Sequence, residues 1–116
     1  MKIYELEMYG EKHQIVLRKG SYCANKTLAV EMSLVNGKGE ITEPWGMLTV
    51  NIDSSNVLAS ETRAFIDTNN NGNEIIGWLE KNNIATPKGL YGQSGWCSYP
   101  LVEFNSQALA EMAEID

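Results

Sequence analysis

Arg63 to Pro87, Arg-Ala-Phe-Ile-Asp-Thr-Asn-Asn-Asn-Gly-Asn-Glu-Ile-Ile-Gly-Trp-Leu-Glu-Lys-Asn-Asn-Ile-Ala-Thr-Pro, is the stretch whose reading decides the fold. Ala64 to Ile66 reads as a short buried strand, Asp67 to Gly72 as a polar turn, and Asn73 to Asn82 as the best helix of the chain, with a stop at Pro87. Asn71 or Asn73 can cap that helix, and Glu74 sits in the first turn, where a negative charge suits the dipole. Ile75, Ile76 and Leu79 form its apolar stripe with Trp78 at the edge, and Asn82-Asn83 can close it in left-handed geometry.

Outward from this unit the pattern is of strands. Lys2 to Met8 alternates Ile3, Glu5 and Glu7 against Tyr4, Leu6 and Met8. Tyr9-Gly10-Glu11-Lys12 supplies a turn, and His13 to Lys19 returns around Ile15, Val16 and Leu17 to complete a hairpin. After a loop at Gly20 to Lys26, Thr27 to Val35 sets Leu28, Val30, Met32 and Leu34 on one face. Its other face, Thr27, Ala29, Glu31 and Ser33, should look out to water or to another element. Asn36-Gly37-Lys38-Gly39 is a turn in which Asn-Gly tolerates positive φ. Beyond Pro44, Trp45 to Ile52 alternates Gly46, Leu48, Val50 and Ile52 against Trp45, Met47, Thr49 and Asn51, which extends an antiparallel meander. Asp53-Ser54-Ser55-Asn56 breaks it before a short apolar segment, Val57-Leu58-Ala59.

Downstream, Lys88 to Gly95 reads as a glycine-rich loop. Trp96 to Phe104 reads as a last strand, placed at an edge because Pro100 cannot donate to a ladder. From Ser106 the spacing is helical through Leu109, Met112 and Ala113, but Glu111, Glu114 and Asp116 put negative charge at a helix C-terminus, where the dipole disfavours it. The expectation is therefore one α+β domain over residues 1–105, an antiparallel meander with one principal helix packed on it. Residues 106–116 would form an acidic C-terminal helix or a frayed tail.

At 116 residues the chain has the length of a single domain, and 43% hydrophobic with 21% charged residues is ordinary globular composition. The net charge of −6, with only nine basic residues, argues against non-specific nucleic-acid binding, which depends on Lys and Arg neutralising phosphates. The N-terminus enters Lys2-Ile-Tyr-Glu-Leu-Glu without the apolar core of a signal peptide, and no run is long enough to span a membrane. A cytoplasmic protein with two reduced thiols, Cys23 and Cys97, is expected.

Candidate chemistry is sparse. Asp67-Thr-Asn-Asn-Asn-Gly matches the first half of a calcium loop, but the position that should carry the bidentate acid is Trp78, so an Asx-rich turn capping a helix is the better reading. His13 is the lone histidine, which excludes two-histidine zinc sites. Tyr91-Gly92-Gln93-Ser94-Gly95 could cradle an anion, but a lone glycine-rich loop is weak evidence and a tight corner into the following strand is the better reading. No catalytic set, metal or cofactor is expected. The aromatic residues stand out instead. Trp45, opposite the core face of its strand, and Trp96, if exposed on one side, would anchor a protein partner. With Asp67, Asn69, Asn70, Tyr91, Gln93 and Tyr99 they make up the expected partner-binding set.

The succession Leu28-Ala-Val-Glu-Met, Pro44-Trp-Gly-Met-Leu-Thr-Val-Asn, Ala64-Phe-Ile-Asp-Thr-Asn-Asn-Asn, Asn83-Ile-Ala-Thr-Pro-Lys-Gly and Gly92-Gln-Ser-Gly-Trp-Cys-Ser-Tyr-Pro-Leu-Val-Glu-Phe resembles an uncharacterised family of small proteins carried by bacterial plasmids, phages and conjugative elements. The resemblance covers roughly residues 2 to 105, the family stopping near the Phe104 position. It implies an accessory protein of mobile DNA, of a kind that often counters host defence. The expected activity is non-enzymatic inhibition of a CRISPR effector such as Cas9, by binding the nuclease or its guide complex. The alternatives are a metal-dependent enzyme that cuts guide RNA using Asp67, and a structural or regulatory module with no defence target.

Overall fold

A computed structural model describes residues 2–22, 26–52 and 59–115. Cys23, the breaker at 53–56, Val57, Leu58 and Asp116 lie outside the described residues. Two sheets, built almost wholly from antiparallel pairs, carry the chain, with a few short helices beside them, in keeping with an α+β class.

The first sheet begins with β1 (Ile3–Met8) and β2 (Glu11–Ser21), joined by Tyr9-Gly10 with φ of 53° and 78°. Two consecutive left-handed residues make a turn whose twist matches that of the strands. The expected alternation holds in β1, where Tyr4 and Leu6 are buried and Ile3, Glu5 and Glu7 are exposed. β3 (Leu28–Val35) pairs with β2, and β4 (Ile41–Met47) with β3, giving the order β1-β2-β3-β4. In the β3–β4 turn the positive φ falls at Gly39, not at Asn-Gly. Asn36 instead uses its side-chain oxygen to accept from the backbone N–H groups of Lys38 and Glu40.

The run Trp45 to Ile52 is not one strand of a single meander, because the chain changes sheets at Leu48. The Leu48 N–H donates to Val30 O at 2.9 Å while its carbonyl accepts from Asp67 N, also at 2.9 Å, so one residue stitches the sheets together. β5 (Thr49–Val50) then opens the second sheet, in the order β5-β6-β8-β7, with β6 (Arg63–Ile66), β7 (Ala85–Ser94) and β8 (Cys97–Phe104). Thr49 Oγ1 strengthens the seam, accepting from Val30 N and sharing a hydrogen bond with the Tyr22 hydroxyl.

Two further expectations fail in this sheet. Lys88 to Gly95 is mostly strand, since Gly89, at φ 77°, falls in a register shift between Pro87 and Tyr91 that absorbs the irregular composition. β8 is interior, between β6 and β7, and not an edge. Pro100 is tolerated because β6 pairs only with Leu101, Val102 and Glu103, leaving Pro100 one residue outside that ladder.

The sheets share a core of Tyr4, Leu6, Ile15, Leu17, Val30 and Met32 from the first, and Ala64, Ile66, Val102 and Phe104 from the second. Helical cover is divided. α1 (Thr68–Asn71) is a single turn, α2 (Glu74–Lys81) contributes Ile75 and Leu79, and α3 (Ser106–Ala110) contributes Ala108. Asn83, at φ 57°, closes α2 in the left-handed geometry expected of it. Each fully buried Leu or Ile here stabilises by about 1.5–3 kcal/mol. On the opposite face of the second sheet, Ile52, Phe65, Tyr99 and Leu101 make a smaller cluster.

The described part of the tail, through Ile115, is docked on the first sheet. After α3, capped by the Asn105 side chain accepting from Gln107 N, the short strand β9 (Ala113–Glu114) runs parallel to β2 beside Arg18 and Lys19. Met112 enters the main core, and Lys19 Nζ donates to Leu109 O at 2.9 Å. Ile115 packs within 3.4–3.7 Å of the space over Gly20, the cross-strand partner of Ala29. Together with the Arg18–Glu31 ion pair, to which the Ser33 hydroxyl donates, this explains why Ala29 and Ser33 are buried and not open to water.

Candidate functional site

Where the β1–β2 turn, the end of β4, α1 and the start of α2 meet, the surface sinks into two adjoining hollows of ≈ 470 and ≈ 440 Å³ that share Met8, Tyr9 and Asn71. The first is floored by Leu6 and Ile75 and walled by Trp78, with Glu7 and Glu74 among its lining. Trp78 is held in place at both ends: its indole N–H donates to Glu5 O at 2.8 Å, and its ring meets Tyr4 edge-on at 5.9 Å. The second hollow is lined by Trp45, Gly46 and Met47 from β4 and by Asp67 and Asn70 from α1.

Local hydrogen bonds set this shape. Asp67 caps α1, one oxygen accepting from Asn70 N at 3.1 Å and the other from Asn70 Nδ2 at 2.7 Å. Both carboxylate oxygens are thereby engaged in a local Asx-type cap. Asn71 Nδ2 donates to Met47 O at 3.1 Å and to Asp67 O at 2.9 Å, latching α1 to the end of β4. Gly72, at φ 82°, allows the reversal into α2. Asn73 takes the N-cap position of α2, as one of the two expected residues, but without a side-chain capping bond; Asp67 makes such a bond at α1.

Trp45 does not lie opposite the core face. Met32 pairs with Gly46 and Ser33 with Pro44, so Trp45 is an inserted residue without a partner across β3. Such a bulge reverses the alternation and turns the indole onto the core, half-buried, with the His13 ring tilted against it at 4.6 Å between ring centres. His13 Nε2 is also 3.7 Å from Glu11 Oε2. The structure thus brings Trp45, Asp67 and Asn70 to one groove, with Asn69 exposed next to them on α1.

The other members of the set are elsewhere. Tyr91, Gln93 and Trp96 are exposed on the β7–β8 hairpin, Trp96 fully so in its turn. Tyr99, 9% exposed, is a core residue of the smaller cluster, because Gly92 opposite it leaves room for Phe65 and Ile52. Trp45, Trp96 and Tyr99 therefore do not share one exposed patch, since Tyr99 is buried. The Tyr99 hydroxyl is pushed above the ordinary phenol range, first by the neighbouring Cys97 side chain, then by burial, with the Asp67 charge adding. Burial raises Tyr22 likewise; its bond to Thr49 works the other way and Asp67 again adds.

Sequence reasoning missed Met8, Tyr9, Met47, Asn71 and Trp78 as groove residues. Tyr9 left one signal, a bulky aromatic at a turn position; it is 89% exposed. The charged lining residues are Glu7, Glu74 and Asp67, and none of the lining is basic. Among the described residues, no group of three His, Cys, Asp or Glu side chains is placed to hold a metal, and no helix is long and apolar enough to cross a membrane.

Residues 16–115 match a family described as a domain of unknown function, DUF4313. The match runs through α3 and β9, past the Phe104 position where the resemblance was expected to stop. No curated protein and no solved structure matches the chain.

Proposed function

The chain belongs to the DUF4313 family, whose function is unknown, and from that premise we propose that it is a non-enzymatic accessory protein of mobile DNA that acts by gripping a protein of the host. The host protein is a defence component, a CRISPR effector such as Cas9, engaged as the nuclease or as its guide complex, in the cytoplasm. The observation that supports this reading is the groove itself. It joins exposed Tyr9 and Met47 to half-buried Trp45 and Trp78, and large apolar side chains clustered at a surface hollow are the usual anchors of protein recognition.

The enzymatic alternative is less well supported, since it needs further carboxylates beside Asp67 and, among the described residues, no group of three His, Cys, Asp or Glu side chains is placed to hold a metal. Affinity capture against Cas effectors, with and without guide RNA, combined with plasmid interference in cells, tests the proposal. Co-purification with reduced interference is expected. No binding together with undiminished interference refutes it, and cleavage of guide RNA by the purified protein with Mg²⁺ would replace it with the enzymatic reading.

A further inference from the structure

We infer that the occupant of the groove is a basic peptide segment of the partner, with an apolar residue seated against Met8 and Trp78 and its Lys or Arg side chains directed at Glu7, Glu74 and Asp67. The inference rests on the protein-binding reading above and deepens it. Charge is what selects this occupant. Both hollows have acids in their lining and neither has a Lys, Arg or His, and the chain as a whole carries −6. An acidic or neutral segment would gain only the apolar contacts, whereas a basic one gains those and a complementary field that speeds encounter and fixes orientation.

The apolar floor makes the site more than a diffuse acidic surface. Leu6 and Ile75 are nearly inaccessible at its base, and Trp78 is braced by Glu5 and Tyr4, so the seat for an anchor residue is built before the ligand arrives. Such preorganisation avoids part of the ordering cost of binding. Size agrees, since each hollow, at ≈ 470 and ≈ 440 Å³, accommodates a few side chains of a segment and not a whole domain.

The test uses three synthetic peptides with one common spacing of leucines and Lys, Gln or Glu at the other positions. The protein carries Trp96→Phe, so that emission reports on Trp45 and Trp78 alone. The Lys peptide is expected to shift that emission saturably, to bind roughly tenfold tighter than the Gln peptide, and to weaken as salt is raised. Glu74→Gln and Glu7→Gln should each loosen it by about two- to fivefold, and Met8→Asp should abolish binding while circular dichroism shows the fold intact.

Equal affinity for the Lys and Gln peptides, or binding indifferent to Met8→Asp, overturns the inference. So does a dimer in sedimentation that Met8→Asp dissolves, which would give the groove to a second copy. The two readings fail separately. Reduced interference by a protein that ignores the Lys peptide sinks only this inference, and peptide binding with undiminished interference sinks only the functional proposal.

Discussion

Replacing Gly92 by alanine probes the smaller apolar cluster at its tightest point. A Cβ at Gly92 would lie 2.8 Å from Phe65 Cε1 and 3.0 Å from both Phe65 Cζ and Ile52 Cδ1, well inside the ~3.5–4.0 Å at which carbons rest in contact. The ring has little room to retreat, because Phe65 is 1% exposed and packs with Tyr99 and Leu101. Gly92 is not in left-handed geometry, so alanine gains about 0.4–1 kcal/mol by restricting the unfolded chain. Overpacking a filled core costs about 1–3 kcal/mol. The cost prevails, and the net loss should be about 1–2 kcal/mol, a fall in Tm of roughly 4–10 °C for a domain of this size. Urea and thermal unfolding followed by circular dichroism measure it. The decisive step is to repeat the change in a Phe65→Leu background, where the shorter side chain frees the space and Gly92→Ala should be nearly neutral, a coupling of about 1 kcal/mol or more. A Gly92→Ala protein as stable as the parent, or one losing as much with Leu at 65, would refute the reasoning.

Trp78→Phe keeps a ring in the groove wall but removes the N–H that satisfies Glu5 O; a loss of about 1–2 kcal/mol and faster amide exchange in β1 are expected, and unchanged exchange would show that the bond does not secure that edge. Met112→Ala should cost about 2–4 kcal/mol if the C-terminal segment is part of the core, and a chemical-denaturation midpoint equal to the parent's would show that it is not. Glu103 is held below the ordinary glutamate range by its hydrogen bonds to Thr62 and Arg63, with the Arg63 and Lys88 charges adding. A depressed carboxylate contributes stability at neutral pH that disappears as pH falls through its folded value, so Glu103→Gln should flatten the pH dependence of stability from roughly pH 5 downward; identical acid limbs would contradict this. The size of the effect is limited by solvent, since both partners are about a third exposed.

What could be read from the chain was what neighbouring residues dictate. Alternation placed Tyr4 and Leu6 inside, the Ile75/Leu79 spacing placed α2, and Asn83 closed it, because each is a local rule. The rest depended on contacts remote in sequence. Nothing near Leu48 says that its N–H will serve one sheet and its carbonyl the other. The inserted Trp45 has meaning only against Met32 and Ser33, so its orientation was read in the wrong phase, and the groove it lines was read only in part. Lys88 to Gly95 is loop by composition, yet Pro87 and Tyr91 pair with β8 on either side of the shift that holds Gly89, and Pro100 marks an edge only until β6 is seen to stop one residue short of it. Tyr99 looked like an anchor because the absence of a side chain at Gly92, which makes room for its cluster, becomes visible only in the register.

The way β2 acquires its neighbours has a consequence for how the protein forms on the ribosome. Its first half is paired by β1 almost at once, but the positions beside Arg18 and Lys19 wait for Ala113 and Glu114, which arrive after nearly all of the intervening chain. At roughly 5–20 residues per second, that edge stays open for several seconds of synthesis. During that interval Gly20 has no Ile115 over it, and a nascent copy on the next ribosome offers the same unpaired strand. Yield in cells should therefore respond to translation speed and chaperone supply more than the equilibrium stability of the finished fold would suggest.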